Sequence, residues 1–147
     1  MLAYGNNKFV AISGTGYIST STDGETWTNA VQNNKFTAIQ WSDLAYGNNT
    51  FVALGYQGEI NTSTDGTTWV KHNRITNLGI HSWKALTYDG TKFVALRYQG
   101  NFSTSSDGTT WASASYKPAL GNNRWRALVY DGTKFIALSE GGYISTS

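Results

Sequence analysis

Phe51-Val52-Ala53-Leu54 is apolar at every position, and the same tetrad returns as Phe9-Val10-Ala11-Ile12, Phe93-Val94-Ala95-Leu96 and Phe135-Ile136-Ala137-Leu138. A strand with one wet face alternates apolar and polar residues, whereas an unbroken apolar run belongs to a strand covered on both faces. Successive tetrads start 42 residues apart, and the interval extends outward from them: Leu2, Leu44, Leu86 and Leu128 keep it, as do Asp23, Asp65 and Asp107, and Trp27, Trp69 and Trp111. A fixed period of this length marks tandem units, each one supersecondary element that buries its faces only against its neighbours.

Each unit predicts four short strands. The first runs from Trp41 to Tyr46, Trp83 to Tyr88 and Trp125 to Tyr130, and ends at Gly47-Asn48-Asn49, Asp89-Gly90-Thr91 or Asp131-Gly132-Thr133. Asn, Asp and Gly tolerate the positive φ of a tight hairpin, so the apolar tetrad follows as the second strand. The third is rich in hydroxyls, as in Ile18-Ser19-Thr20-Ser21 and Ile60-Asn61-Thr62-Ser63, and leads into Ser-Thr-Asp-Gly-Glu-Thr-Trp at 21–27, Ser-Thr-Asp-Gly-Thr-Thr-Trp at 63–69 and Ser-Ser-Asp-Gly-Thr-Thr-Trp at 105–111. There Asp23, Asp65 and Asp107 are expected to accept backbone N–H groups of their own turn, the glycine to take the left-handed position, and Trp27, Trp69 and Trp111 to fold back over the hairpin. Sixteen glycines, a single proline and 14% aromatic residues suit short strands and tight turns better than helices.

These turns resemble the Asp-box of sialidase-like and related propellers, usually Ser-x-Asp-x-Gly-x-Thr-Trp; the copies here are one residue shorter and similar to repeats of bacterial and phage-encoded propeller proteins. The resemblance implies an all-β fold, a β-propeller of four-stranded antiparallel blades of 42 residues. It implies one repeat domain over residues 1–147, with three complete blades and a partial fourth at about 1–34, 35–76, 77–118 and 119–147. A β-trefoil closes with three units and has no use for the further Leu128 and Phe135 segments. In the family resembled, the Asp-box is a structural turn distant from the ligand face.

Both ends of the chain read as unfinished edges, which invite pairing with another chain. Two copies hold seven periods by length, but strand order gives eight blades, two of them three-stranded. A homo-oligomer, foremost a dimer, is therefore expected; a four-bladed monomer and a fragment of a longer propeller are the alternatives.

The copies differ most at Asn29 to Gln40, Lys71 to Ser82 and Ala112 to Arg124, the segments that lead into the next blade, while the framework repeats. A scaffold that carries independent surface chemistry varies in this way, as do loops under little constraint. The turns between the second and third strands lie on the same face and hold Tyr56-Gln57-Gly58 and Tyr98-Gln99-Gly100. A tyrosine ring can cover the apolar C–H face of a sugar while the amide of Gln57 or Gln99 meets its hydroxyls, although Tyr56 and Tyr98 can equally serve as hairpin caps. Trp41, Trp83 and Trp125 stand near that face, either packed between blades or exposed as stacking platforms, and Arg97, Arg124, Arg126 and Lys117 can supply anion contacts, although single surface cations are common.

Charge and composition narrow the function. The net charge of +2 comes from Lys and Arg scattered singly, so no basic stripe can track a phosphate backbone, and nucleic acid is not an expected partner. Without cysteine there is no disulfide, thiolate metal site or cysteine nucleophile; His72 and His81 lack the companion ligands that a zinc site needs. No metal and no cofactor is expected. No run of 18 apolar residues occurs and the N-terminus has no signal-peptide core, so no membrane insertion is expected; an extracellular or virion-associated setting is favoured. Sialidase chemistry would require an arginine cluster, yet only four arginines exist and none occupies matching positions of successive units. No catalytic residue is assigned. The expected role is a non-catalytic recognition module, glycan-binding through one loop face, with weak repeated sites adding through multivalency. The alternative is a structural or protein-docking propeller in a phage particle or extracellular assembly.

Overall fold

A computed structural model describes residues 1–37, 40–72 and 74–147; Ala38 and Ile39 of the first variable segment and Asn73 of the second lie outside the described residues. Four antiparallel sheets follow one another along the chain, each ordered as in the sequence. Blade 1 holds β1 (Leu2–Gly5), β2 (Lys8–Ile12), β3 (Tyr17–Ser21) and β4 (Val31–Gln32); blade 2 holds β5 (Trp41–Gly47), β6 (Thr50–Gly55), β7 (Ile60–Ser63) and β8 (Val70–His72). Blade 3 holds β9 (Trp83–Tyr88), β10 (Phe93–Arg97), β11 (Asn101–Ser105) and β12 (Ser115–Tyr116). Blade 4 has three strands, β13 (Trp125–Tyr130), β14 (Phe135–Ser139) and β15 (Ile144–Thr146). The chain is an all-β propeller, as its 42-residue period requires.

The outer strands β4 and β12 lie inside the segments taken for loops, and β8 overlaps the start of the second. A two- or three-residue strand at the outer rim needs backbone pairing but little apolar burial, so its sequence is free to vary and reads as loop.

The hairpins show how local sequence sets the blade. Asn6, Asn7, Asn48 and Asn49 take φ of 49°, 55°, 46° and 56°, the left-handed pair that a two-residue hairpin demands. Blades 3 and 4 close the same hairpin with an aspartate: Asp89 Oδ1 accepts the N–H groups of Thr91 and Lys92 at 2.9 and 2.8 Å, and Asp131 does the same for Thr133 and Lys134.

The Asp-Gly turns form as the sequence predicts. Asp65 Oδ1 accepts the N–H groups of Thr67 and Thr68 at 2.8 and 2.7 Å and the Ser63 hydroxyl at 3.0 Å, and Trp69 Nε1 donates to Gly66 O at 3.2 Å. Asp23 and Asp107 repeat the pattern with Trp27 and Trp111. Burial pushes Asp65 and Asp107 upward, but these donors outweigh it and hold both well below the usual carboxylate range. Asp23, fully exposed, is brought down to about 2 by the N–H groups of Thr26 and Glu25 and the Ser21 hydroxyl.

Packing is almost entirely between blades. Val10, Ile12 and Ile18 of blade 1 cluster with Trp41, Leu44, Phe51, Ala53 and Trp69 of blade 2. Val52, Leu54 and Ile60 of blade 2 meet Trp83, Leu86, Phe93, Ala95 and Trp111 of blade 3, and the smaller cluster between blades 3 and 4 joins Leu96 to Trp125 and Ala137. Each connecting segment adds one buried plug: Phe36, Leu78 or Leu120. The Phe36 ring lies 4.5 Å from Trp41 and 5.0 Å from Trp69. Blades 1, 2 and 3 approach so closely at their inner strands that a β-carbon on Gly5 or Gly47 would overlap the ring of Tyr46 or Tyr88.

Candidate functional site

Three irregularities in the inner strands build the rim opposite the Asp-Gly turns. In β5 the pairing with β6 skips Ser42, in β9 the pairing with β10 skips Lys84, and in β13 the pairing with β14 skips Arg126. Each skipped residue is a β-bulge, which re-aims its side chain out of the sheet alternation. The backbone then ties each bulge to the blade before it: Trp41 N–H donates to Gly14 O at 3.1 Å, Trp83 N–H to Tyr56 O at 3.0 Å and Trp125 N–H to Tyr98 O at 3.0 Å.

Two of these junctions carry the same chemistry. Lys84 Nζ sits 4.5 Å from the centre of the Tyr56 ring, and the Arg126 guanidinium sits 5.3 Å from that of Tyr98. Cation–π contact of this kind is worth about 0.5–1 kcal/mol at exposed sites and holds the long side chain in place. The Ser82 hydroxyl donates to Tyr56 Oη at 2.7 Å, and Tyr98 Oη donates to Glu140 Oε2 at 3.2 Å. Glu140 pairs with Arg126 and with Arg124 Nη1 at 3.7 Å. At the other end of the rim Arg74 reaches buried Glu59 at 3.6 Å and donates to Gln57 Oε1 at 3.4 Å. Partial burial, and then the charge of Arg126, lower the pKa of Lys84. Arg74, Lys84, Arg124 and Arg126 thus face two carboxylates, Glu59 and Glu140, and the rim is cationic.

The structure sorts the residues singled out in the sequence. Tyr56, Gln57, Tyr98 and Arg124 are on this rim, and Gln99 is exposed beside Tyr98. Trp41, Trp83 and Trp125 belong to the inter-blade core and offer no face to a ligand, because each indole fills the gap between a plug residue and the next sheet. Trp83 Nε1 and Trp125 Nε1 donate inward to Leu78 O and Leu120 O at 3.2 and 3.1 Å. Arg97 is buried as well, its guanidinium 5.7 Å from the Trp83 ring, so it supports the tryptophan rather than the rim. Tyr56 and Tyr98 act as hairpin residues and as rim aromatics at once. Nothing in the sequence singles out Lys84, and Arg126 stands there only as one of several single cations. Their position, directly after each blade-starting tryptophan, was the available signal, but nothing local distinguishes a bulge residue from one that points into the sheet.

The inner strands also line a concave groove of about 550 Å³ between Leu2 of β1 and Val129 of β13. In its wall the carboxylate of Asp43 accepts the Leu44 N–H at 2.8 Å and the Leu86 N–H at 2.7 Å, bridging blades 2 and 3. Burial pushes its pKa up to about 6 against those two donors. His72 pairs with Thr62 Oγ1 at 2.8 Å and His81 lies exposed at the far end of its loop; among the described residues no group of three or more His, Cys, Asp or Glu is placed to hold a metal ion.

No family model and no curated protein sequence matches the chain. Solved structures do. YCF48 bound to D1 peptide is similar over all of this chain and 48% of its own, with 15% identity and a TM-score of 0.75. BamB from Moraxella catarrhalis is similar over 99% of this chain and 41% of its own, at 11% identity and a TM-score of 0.70. The computationally designed Ika4 protein is similar over 99% of this chain and 88% of its own, at 15% identity and a TM-score of 0.60. The chain spans less than half the length of YCF48 and BamB, and identities this low speak for fold alone.

Proposed function

We propose that this chain is a non-catalytic recognition module that binds an anionic glycan along the rim of blades 2 to 4. The observation that carries the reading is the pair of equivalent junctions, Tyr56 with Lys84 and Tyr98 with Arg126, set one blade apart by two equivalent bulges. Each offers a tyrosine and a cation held against its ring, Arg126 sharing its charge with Glu140, with Gln57 or Gln99 beside it. Two such sites in series suit a polymer with a repeating charged unit, since the second contact is intramolecular once the first is made. Of the four arginines, Arg97 packs against the Trp83 ring, Arg74 is paired with Glu59, and Arg124 and Arg126 share Glu140.

A second reading, docking of an acidic protein segment on the same rim, draws on the cationic balance and on the fold shared with YCF48, whose structure carries a bound peptide. Titration calorimetry with acidic and neutral oligosaccharides separates them. Acidic oligosaccharides are expected to bind and neutral ones of equal length to bind far less. Capture of an acidic peptide, with no oligosaccharide bound, would favour the second reading.

A further inference from the structure

The interfaces between blades 1 and 2 and between blades 2 and 3 use the same two surfaces, and the smaller one between blades 3 and 4 uses part of them. One face of a blade presents the Val10, Ile12 and Ile18 set (Val52, Leu54 and Ile60 in blade 2); the opposite face of the following blade presents the leucine and tyrosine of its inner strand, the phenylalanine of its tetrad and its turn tryptophan. The outward faces of blades 1 and 4 are the two halves of that interface, each without its complement. On blade 1 these are Leu2, Tyr4 and Trp27: Trp27 is 37% exposed, whereas its counterparts Trp69 and Trp111 are 4% and 2% exposed. On blade 4 they are Ile136, Leu138 and Ile144: Ile144 is 69% exposed, whereas its counterpart Ile60 is 0% exposed. Apolar side chains gathered on a face of this kind mark an association surface.

The fit between the two faces is already drawn in the molecule. A β-carbon on Gly66 of the blade 2 turn would overlap Val10, and one on Gly108 of the blade 3 turn would fall within 2.5 Å of Val52, so each turn seats on the valine of the preceding blade. The next member of that series places Gly24 and Trp27 on Ile136. Lys8 Nζ donates across the first interface to Asp65 O at 2.9 Å. Among the described residues, blades 1 and 4 of one chain share no packed interface, although β1 and β13 line the same groove.

We infer that a second copy of this chain covers both faces, blade 4 of each copy packing on blade 1 of the other in a two-fold ring of eight blades. The contact is head-to-tail and occurs twice, so no exposed sheet face is left over. This lies outside the recognition reading and stands or falls independently of it.

Light scattering after size exclusion is the test, with Ile144→Glu on the blade 4 face and Leu2→Glu on the blade 1 face. Wild type is expected at twice the chain mass, each variant alone at the single-chain mass with an unchanged far-UV spectrum, and an equal mixture of the two variants again at twice the chain mass through the one intact contact. Leu138→Glu and Tyr4→Glu, on the same two faces, replace any variant that loses its strand spectrum. A wild-type mass of one chain, or of three or more, overturns the proposal. So does a single variant that stays dimeric, because that would mean like faces pair with like.

Discussion

The two ends of a blade spend their polar groups differently. At the turn end Asp23, Asp65 and Asp107 bond the backbone of their own turns within three residues, and Ser21, Ser63 and Ser105 close the same loops. At the rim end Lys84, Arg126 and Glu140 meet partners from a neighbouring blade or a distant turn, and cations outnumber carboxylates. A group satisfied by its own loop has little left to offer a ligand. A cation held against a ring face, as Lys84 is, has more, while Arg126 shares its charge with Glu140. The Asp-Gly turn is therefore framework and the bulge is surface chemistry, although both recur with the same period.

The contrast can be broken from the framework side first. Trp69→Ala removes an indole locked between Phe36 and its own turn and should cost about 3–5 kcal/mol in denaturant unfolding. Trp27→Ala, in an identical turn with no blade in front of it, should cost the single chain no more than about 1 kcal/mol. Equal losses would mean that the turn itself, not the neighbouring blade, makes the tryptophan matter. Gly47→Ala drives a methyl into Tyr88 and should cost about 1–3 kcal/mol, with no change in any binding at the rim.

Acidity sharpens the same contrast through Asp43. Its pKa rises from 3.8 unfolded to about 6 in the folded chain, so the folded state holds the extra proton between those values. Its contribution is full below pH 3.8 and is lost as pH rises through about 6. Asp65 and Asp107 act in the opposite sense: their folded values are depressed, so their stabilisation is present above the ordinary aspartate range and disappears as pH falls through the folded values. Thermal melts across this range should show stability of the Asp43→Asn variant no longer declining between pH 4 and 6 while its loss in stronger acid persists. An unchanged profile would remove Asp43 from the account.

The smallest stability effect belongs to the rim. Replacing Lys84 and Arg126 together by alanine should shift unfolding by less than about 0.5 kcal/mol for each residue, as exposed positions do, yet abolish retention on an acidic oligosaccharide column. Retention that survives would move the binding surface elsewhere.

What could be read from sequence was whatever repeats locally. The Trp41, Trp83 and Trp125 strand starts, the Asn48-Asn49 and Asp89-Gly90 hairpins, and the Asp65 and Asp107 turns are each set by φ preferences and hydrogen bonds spanning a few residues, and they stand where the pattern puts them. A fourth strand was expected in each unit, but β4 and β12 could not be located in it because two residues at a sheet edge need no apolar signature. Tyr56, Tyr98, Gln57 and Arg124 were legible as rim candidates because they sit in turns. Lys84 was not, since its direction depends on a register skip that only strand pairing creates.

Amino-acid order by itself determined the blade: its period, its strands, its turns and the apolar character of both its faces, all of which follow from interactions within one unit. Only the tertiary structure decided which equivalent residues are buried and which are offered, sinking Trp69 while leaving Trp27 in view, and turning Lys84 and Arg126 onto tyrosines of another blade. Burial and ligand geometry are properties of contact between units. Identical segments acquire different roles there because their neighbours differ.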